Sequence, residues 1–220
     1  MLMPVRHHPW DVSPQEAIAI QEELASDIDT SEALGNCQSV AGIDVGLGEE
    51  TARAAVVVLT LPDLEIVERA RAERPLNFPY IPGLLTFREA PVILDALARL
   101  EREPEALIFD GQGYAHPRHM GLATHVGILL DHPTVGCAKS RLCGTYEEPG
   151  PRRGQYTWLR DDKEIIGAVV RTRTNVNPVF VSIGHKISLQ HAVDLVLRCG
   201  GGYKLPEPTR WAHRVASGTA

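Results

Sequence analysis

The sequence predicts an α/β fold in which one mixed β-sheet is flanked by helices. Two observations favour this class: apolar, β-branched segments joined by short links between residues 39 and 72, and an alternation of helical and strand segments after residue 87. Short links favour antiparallel neighbours, whereas strands separated by a helix usually pair in parallel. A chain of 220 residues is expected to form one domain, here residues 1–220, with flexible ends at 1–12 and 215–220.

The first half of the chain is predicted to hold two helices and three strands. Ser13 can cap a helix that Pro14 begins, and an apolar stripe continues to about residue 30. A second helix is expected from about residue 87 to 102, where Pro104 stops it. The strands are predicted at residues 39–45, 53–60 and 64–72.

The second half alternates strand and helix before it returns to strands. The predicted elements are strand 105–109, helix 120–130, strand 134–138, strands 156–159, 164–171 and 179–183, and helix 188–199. Three glycines at 200–202 end that helix, and residues 206–214 are predicted as a closing helix or a plain surface helix. This order is that of a ribonuclease H-like fold, which spacing alone leaves as one candidate among several.

The composition excludes several classes of protein. Hydrophobic residues make up 44% of the chain and charged residues 23%, as in ordinary globular proteins. No apolar run reaches the ~18 residues that a membrane span needs, and the N-terminus lacks the apolar core of a secretory signal. We therefore expect a cytoplasmic protein without membrane contact. The four cysteines have no CxxC spacing, which argues against a zinc site.

Charge is unevenly distributed along the chain. The first 136 residues hold 21 acidic and 9 basic side chains, whereas residues 137–220 hold 7 and 13. Such asymmetry is typical of proteins with a polyanionic partner. It is equally consistent with two halves that neutralise each other on one folded surface.

Two aspartates stand where apolar strands lead into loops. Asp44 follows one such run and Asp110 another, and Glu89 lies on a segment between them. Carboxylates brought together at a sheet edge repel strongly unless a cation lies between them. Oxygen ligands of this kind suit Mg²⁺ or Mn²⁺. Either aspartate alone could merely cap a turn, but turn capping gives no reason for the two to converge.

Two further segments carry candidate functional groups. Prolines on both sides of Tyr80 and Ile81 stiffen a loop that could enter between stacked bases, or whose side chains could pack on the core. Lys139 follows a strand and could meet phosphate oxygens. Among the histidines after Asp110, at positions 116, 119 and 125, His116 is the strongest candidate for a second shell around a metal or for a phosphate contact.

Five segments together resemble the endonuclease V family, the deoxyinosine 3′ endonucleases of DNA repair. They are residues 40–45 (VAGIDV), 79–89 (PYIPGLLTFRE), 110–118 (DGQGYAHPR), 136–140 (GCAKS) and 184–188 (GHKIS). The resemblance extends over about residues 13–214, and the 79–89 segment is the most specific of the five.

The resemblance implies a ribonuclease H-like fold and a Mg²⁺-dependent phosphodiesterase, with Mn²⁺ as a substitute ion. It implies hydrolysis of the second phosphodiester bond 3′ to deoxyinosine, which leaves a 3′-hydroxyl and a 5′-phosphate. The expected partner is inosine-containing DNA, with single-stranded DNA or RNA as further substrates, and the expected state is a monomer. The mispaired hypoxanthine base would cost less to extrude than a matched base.

Roles follow from the resemblance residue by residue. The implied catalytic residues are Asp44, Glu89, Asp110 and Lys139, and the first and third of these hold the metal. The implied wedge between the DNA strands is formed by Pro79, Tyr80, Ile81 and Pro82. Backbone amides near Gly83 and Gly113 are expected to form the lesion pocket. His116 and His213 are implied as supporting residues.

Three alternatives stay open at this level. A different ribonuclease H-like nuclease, acting on RNA or on DNA junctions, would share the carboxylates without needing the proline-flanked loop. A binding module without catalysis would use both aspartates only as turn caps. A sugar- or nucleotide-phosphate enzyme could use the glycine-rich loop at 111–113, but the Lys-Ser/Thr of a phosphate-binding loop is missing.

Overall fold

A computed structural model describes residues 2–31 and 34–219. Within these residues, eight strands form one mixed sheet with helices on both faces, which confirms the predicted fold class. The strands are β1 (Ser39–Leu47), β2 (Thr51–Thr60), β3 (Ile66–Pro75), β4 (Ala106–Phe109), β5 (Thr134–Ala138), β6 (Tyr156–Asp161), β7 (Glu164–Val170) and β8 (Val179–His185). The helices are α1 (Pro14–Leu24), α2 (Leu85–Leu97), α3 (Leu122–Leu130), α4 (Leu189–Arg198) and α5 (Glu207–Ala216).

The strand order across the sheet is β3-β2-β1-β4-β5-β8-β7-β6. The three strands joined by short links pair antiparallel, as expected. Strand β4 lies between β1 and β5 and is parallel to both, because a helix precedes each return to the sheet. The last three strands are antiparallel to their neighbours. This arrangement places the carboxyl ends of β1, β4 and β5 at one edge in the middle of the sheet.

Two layers of helices bury the two faces of the sheet. Helices α2 and α3 pack against one face in a cluster that includes Ile43, Val56 and Phe109. Helices α4 and α5 cover the other face, where α5 buries Ala212 and Val215 against β2. Burial of this kind contributes about 25 cal/mol per Å² of apolar surface removed from water. Strand β1, which carries Asp44, and strand β4, which leads into Asp110, are therefore covered by helices on both faces.

Two helices end earlier than the sequence predicts. Helix α1 stops at Leu24 and a 3₁₀ turn follows, because the chain then pairs with the end of β8 through the carbonyl of Asp29 and the N–H of Lys186 (2.8 Å). Helix α2 stops at Leu97 rather than near 102. The backbone N–H groups of Glu101 and Arg102 donate to the carboxylate of Glu68 instead of to helix carbonyls.

The N-terminal segment packs against the helical layer, although the sequence analysis expects a flexible end there. Leu2 is buried, the N–H of Val5 donates to the carbonyl of Leu129, and the ring of Trp10 contacts that of Phe87. At the other end, helix α5 continues to residue 216 and so includes the first two residues of the segment 215–220 that the sequence analysis expects to be flexible. Met1 and Ala220, the outermost residues of the two predicted flexible ends, lie outside the described residues. Among the described helices, none has both the length and the apolar character required to cross a bilayer.

Candidate active site

Asp44 and Asp110 lie side by side on neighbouring parallel strands. Ile43 of β1 pairs with Phe109 of β4, so the next residue on each strand occupies the same level of the sheet. The N–H of Asp110 donates to the carbonyl of Ile43 at 3.0 Å and holds the loop after β4 against β1. The structure thus brings the two carboxylates together, although only Asp110 follows a strand end, since β1 continues to Leu47.

Helix α5 adds an imidazole to this pair. The Nδ1 atom of His213 lies 2.9 Å from a carboxylate oxygen of Asp44. The helix reaches β1 so closely because residue 42 is glycine: a Cβ there would lie 1.9 Å from the carbonyl carbon of Pro208. One possible ligand atom from each of Asp44, Asp110 and His213 lies within 4.8 Å of the other two.

Glu89 faces the same cluster from helix α2. Its side chain is buried, and burial together with the negative charges of Asp44 and Asp110 raises the pKa of Glu89 to about 8. Arg88 opposes this shift only in part. In the absence of a cation the Glu89 carboxyl is therefore protonated at neutral pH. Burial is the largest cause of this shift, and the charges of the two aspartates add to it.

Lys139 pairs with Asp110 from the end of strand β5. Its Nζ atom contacts a carboxylate oxygen of Asp110, whose side chain is almost buried while that of Lys139 is half exposed. Burial raises the pKa of Asp110, and the ion pair with Lys139 opposes that shift. An ammonium group thus stands at the rim of the acidic cluster, where it can meet a second anion from solvent.

The donor set of the cluster fits a divalent cation. Two carboxylates on adjacent strands offer hard oxygen ligands at fixed positions, which Mg²⁺ and Mn²⁺ prefer. The imidazole of His213 suits Mn²⁺ better than Mg²⁺ as a direct ligand. The repulsion that raises the Glu89 pKa is the kind of energy that a bound cation removes. The residues present therefore fit the metal that the sequence analysis expects.

A cavity of about 320 Å³ opens beside the cluster. It is lined by residues 80–83, 85, 86, 110–112, 116, 121, 122 and 138–142. The predicted wedge loop forms one wall and the loop after β5 forms the opposite wall. Asp110 and Lys139 belong to both the acidic cluster and the cavity, so the two features form one continuous site.

The wedge loop, residues 79–82, presents its aromatic ring to solvent. Tyr80 is 70% exposed, an unusual position for a large ring, so the interpretation that it packs on the core is wrong. The loop then turns sharply, with the N–H of Leu84 donating to the carbonyl of Ile81 at 3.0 Å. Pro82 and Gly83 occupy the middle of this turn, and Gly83 has φ +81°, which favours glycine.

His116 is neutral and has a defined tautomer. Its Nδ1 accepts a hydrogen bond from the backbone N–H of Arg118 at 3.2 Å, so the proton lies on Nε2, which donates to the carbonyl of Gly83 at 3.0 Å. Burial and the nearby guanidinium of Arg118 lower the pKa of His116 to about 4. The imidazole therefore supports the cavity wall and carries no charge near pH 7.

Three other residues discussed in the sequence analysis lie away from the cavity. Gly113 is beneath it: its N–H donates to Ser182 Oγ at 2.9 Å, so it is not free to read a base, and Gly111 lines the wall instead. His119 stacks on the ring of Tyr114 with 4.1 Å between ring centroids. His125 is fully buried within α3 beside His8, so it can contact neither a metal at the cluster nor a phosphate.

Sequence reasoning assigned no role to two polar residues that contact the cavity wall. Gln21 of α1 is fully buried and, like Arg118, donates to the carbonyl of Gly83. A signal for Gln21 exists in the sequence, because it stands four residues after Ala17 within the apolar stripe of α1. Arg118 belongs to one of the recognised segments, but its partner could not be inferred from spacing.

The chain is similar over nearly its whole length to known proteins. A family model described as Endonuclease V matches residues 22–214. The endonuclease V of Roseiflexus sp. (strain RS-1) is 51% identical over 209 residues, which cover 95% of this chain and 94% of that protein. The crystal structure of endonuclease V from Streptomyces avermitilis has a TM-score of 0.91 at 39% identity, covering 94% of this chain and 93% of that one.

A third similar protein was crystallised with nucleic acid. It is the endonuclease V of Ciona intestinalis in complex with a 24-mer DNA containing an inosine followed by a ribo-adenosine. Its TM-score is 0.83 at 29% identity, covering 93% of this chain and 96% of that chain. Together these likenesses confirm the ribonuclease H-like fold.

Proposed function

Since the chain belongs to the endonuclease V family and is therefore a DNA endonuclease, we propose that its substrate is DNA containing deoxyinosine. The Ciona relative, crystallised with inosine-containing DNA, supports this choice of lesion. The observation that carries the proposal is the continuity of the acidic cluster with the cavity. Asp110 and Lys139 belong both to the acidic cluster, which is suited to phosphodiester hydrolysis, and to the cavity, which the exposed wedge loop bounds.

The proposed cofactor is Mg²⁺, held by Asp44 and Asp110, with Mn²⁺ as a substitute. When bound there, the ion would supply charge neutralisation for the phosphate and lower the pKa of an attacking water. Glu89 completes the acidic set as a group that gives up its proton once the charge of its neighbours is neutralised. His213 orients the Asp44 carboxylate through its Nδ1 contact.

The remaining steps fall to the chain's own side chains. Lys139 lies between Asp110 and the cavity, so its ammonium can hold a phosphate oxygen or the attacking water next to the scissile bond. His116 stays neutral and holds the cavity wall through Gly83. Position and electrostatics account for the proposed catalysis without a covalent intermediate on the protein.

Part of the proposed selectivity comes from the weak base pairing of the lesion itself. Hypoxanthine carries an acceptor where adenine carries a donor, pairs poorly with thymine, and is therefore cheaper to unstack. Tyr80, flanked by Pro79, Ile81 and Pro82, would fill the gap left in the base stack. The extruded base would enter the cavity, where the backbone near Gly83 and Gly111 lines the wall.

We further propose that the cut falls at the second phosphodiester bond 3′ to the lesion and leaves a 3′-hydroxyl and a 5′-phosphate. Asp110 belongs to the cavity lining and Asp44 does not, so the acidic cluster extends beyond the space proposed for the extruded base, which supports a cut outside the lesion nucleotide. We also propose that the protein acts as a monomer.

One incubation tests this function. A 5′-labelled duplex with a single deoxyinosine is incubated with the protein in Mg²⁺, in Mn²⁺ and in EDTA, beside the same duplex carrying adenine. We expect one labelled product in either metal, ending in a 3′-hydroxyl one nucleotide beyond the lesion, and none in EDTA. Equal cutting of the adenine duplex, or preferential cutting of a junction or of inosine-free RNA, would contradict the proposal.

A further inference from the structure

The carbonyl of Gly83 is held by three side chains from distant parts of the chain. It accepts hydrogen bonds from Gln21 Nε2 at 3.1 Å, from His116 Nε2 at 3.0 Å and from a terminal nitrogen of Arg118 at 2.8 Å. A carbonyl oxygen has two lone pairs, so three donors, one of them charged, form a crowded and strong anchor. Gly83 directly follows the wedge loop and, with residues 80–82, lines the cavity.

Gln21 interrupts the apolar stripe of α1 at the cost of burying an amide. That cost is offset because its Nε2 also donates to the carbonyl of Met120 at 3.1 Å, and its Oε1 accepts from Arg118 Nε at 2.7 Å. The side chain is 0% exposed. An apolar residue at this position of the stripe could not make these bonds, so the amide connects α1 to Gly83, Met120 and Arg118.

Arg118 connects the two other donors. Its guanidinium contacts both Gln21 and Gly83, and its backbone N–H sets the tautomer in which His116 can donate. Glycine is required at the anchor, since a Cβ on Gly83 would lie 3.0 Å from the Arg118 guanidinium in a backbone conformation with φ +81°. These three side chains and the Gly83 carbonyl are called the Gly83 clamp below.

The clamp contacts no atom of the acidic cluster, but it fixes two sides of the cavity relative to each other. Gln21 lies on α1, whereas Arg118 and His116 lie on the loop that follows residues 111–113. All three side chains donate to the carbonyl of Gly83, the residue after the wedge loop. A wedge that enters a base stack is pushed back by the bases it separates. If the wedge loop is anchored at Gly83, the loop cannot move back, and the nucleobase is extruded instead.

We propose that Gln21 and Arg118 are positioning residues that set selectivity for the inosine lesion by holding the Gly83 carbonyl, and with it the wedge loop, against the cavity. The inference rests on the proposed function, because it assumes that the cavity takes an extruded base. It predicts that loosening the clamp weakens discrimination between damaged and undamaged DNA, while general affinity for DNA through phosphate contacts is preserved.

The test compares Gln21→Met and Arg118→Lys with the wild-type protein and with Gln15→Met, an exposed glutamine on the same helix. Affinities are measured in EDTA at one salt concentration for an inosine duplex and its adenine counterpart. 2-Aminopurine next to the lesion reports base unstacking. We expect Gln21→Met to reduce the affinity ratio by about tenfold and to diminish the 2-aminopurine signal, with affinity for the adenine duplex changed less than about twofold.

Arg118→Lys keeps one charge but cannot contact Gln21 and Gly83 together, so we expect an intermediate ratio; Gln15→Met is expected to match the wild type. Should Gln21→Met fail to fold, Arg118→Lys, a change at a half-buried side chain, decides the matter alone. A wild-type affinity ratio in the folded variants, or an equal fall for both duplexes, would overturn the proposal. A wild-type protein that binds both duplexes equally would instead contradict the proposed function.

Discussion

The side chains of the acidic cluster owe their properties to burial combined with neighbouring charge. Asp110 is nearly buried beside Lys139, and Glu89 is buried beside two further carboxyl groups. Both carry a raised pKa, which in an isolated surface carboxyl would not occur. The structure therefore predicts that removing one carboxylate charge from the cluster leaves the fold stable but strongly reduces cleavage.

Replacement of Asp44 or Asp110 by asparagine is expected to slow cleavage of the inosine duplex at least about a thousandfold, because the metal loses one of two fixed carboxylates. The melting temperature of the metal-free variants is expected to stay unchanged or rise, since one source of repulsion is removed. Single-turnover cleavage in Mg²⁺ and thermal denaturation in EDTA measure the two effects. Asp63→Asn, at an exposed turn, is the matched control, and nicking by either site variant at the wild-type rate would exclude the metal assignment.

His125 gives a prediction about acid stability. Burial, and to a lesser extent the proximity of His8 and His116, lower the pKa of His125 from 6.5 to about 3. The unfolded chain therefore binds a proton below pH 6.5 that the folded chain refuses until about pH 3, so stability is fully present above 6.5 and declines as the pH falls through this window. From pH 7.5 to 5 this one group should remove about 2 kcal/mol of unfolding free energy.

Urea denaturation at the two pH values measures this decline. We expect His125→Gln to show a smaller loss of unfolding free energy than the wild type between pH 7.5 and 5, whatever its absolute stability. His7→Gln, at an exposed histidine next to His8, serves as control and is expected to keep the wild-type difference. An undiminished pH dependence in His125→Gln would show that the imidazole is not held neutral.

At the scale of elements, loops carry the functional surfaces and buried polar groups hold those loops in place. The wedge loop is anchored by the Gly83 clamp, and a second loop, residues 148–155, is anchored by Arg171. The guanidinium of Arg171 is buried and donates to the carbonyls of Pro149, Gly150 and Val176 and to the carboxylate of Glu148. Each loop thus has one polar anchor beneath an exposed surface.

Removal of the wedge ring is expected to affect recognition and not folding. Tyr80→Ala should weaken binding to the inosine duplex by about tenfold, the value of one lost base–aromatic stack. Its unfolding free energy should match the wild type, because the side chain is 70% exposed. Fluorescence anisotropy at fixed salt and urea denaturation check the two statements. Tyr80→Phe keeps the ring and should retain affinity; a similar loss in both variants would assign the effect to the hydroxyl group.

Replacement of Arg171, in contrast to that of Tyr80, is expected to reduce the stability of the fold. Arg171→Met leaves three carbonyls without their donor and should reduce the unfolding free energy by about 2–4 kcal/mol. Arg173→Lys, an exposed change two residues away, should be neutral. Denaturant titration provides the measurement, and limited proteolysis within residues 148–155 locates the loosened segment. A neutral Arg171→Met would mean that water replaces the guanidinium at no cost.

At the scale of the whole molecule, the candidate site draws on five elements that are far apart in sequence. Asp44 comes from β1, Glu89 from α2, Asp110 follows β4, Lys139 follows β5 and His213 comes from α5. The close contact between Gly42 and Pro208 joins the last of these to the first. The geometry of the cluster therefore depends on how the two faces of the sheet are packed.

A methyl group on Gly42 tests that dependence. Because its Cβ would lie 1.9 Å from the backbone of Pro208, Gly42→Ala should displace α5, remove His213 from Asp44 and cost about 3 kcal/mol of stability. Gly46→Ala, whose Cβ would meet a carbonyl at 3.1 Å, should have a milder effect, and Gly35→Ala, with nothing within 4 Å, none. Cleavage rates and melting temperatures should follow this order; equal behaviour of the three would refute close packing of α5.

Much of this architecture could be predicted from local patterns, and the rest could not for identifiable reasons. The strands and the pairing directions of the first five follow from apolar periodicity and link length, whereas the assignment of Asp44 and Asp110 to one metal site follows from the resemblance. The ends of α1 and α2 were missed because backbone groups there bond to residues distant in sequence, such as Glu68. Gly113 was assigned to the pocket although its N–H is taken by Ser182, a partner 69 positions away. The resemblance, not composition, gave Tyr80 its role.

The pairing of His213 with Asp44 joins residues 169 positions apart, and α5 is the last helix of the described chain. During synthesis, this helix leaves the ribosome well after Asp44, Glu89, Asp110 and Lys139. A half-made or prematurely terminated polypeptide therefore lacks the imidazole and the packing that α5 gives to β1 and β2. We therefore expect no cleavage activity before α5 has packed on β1 and β2.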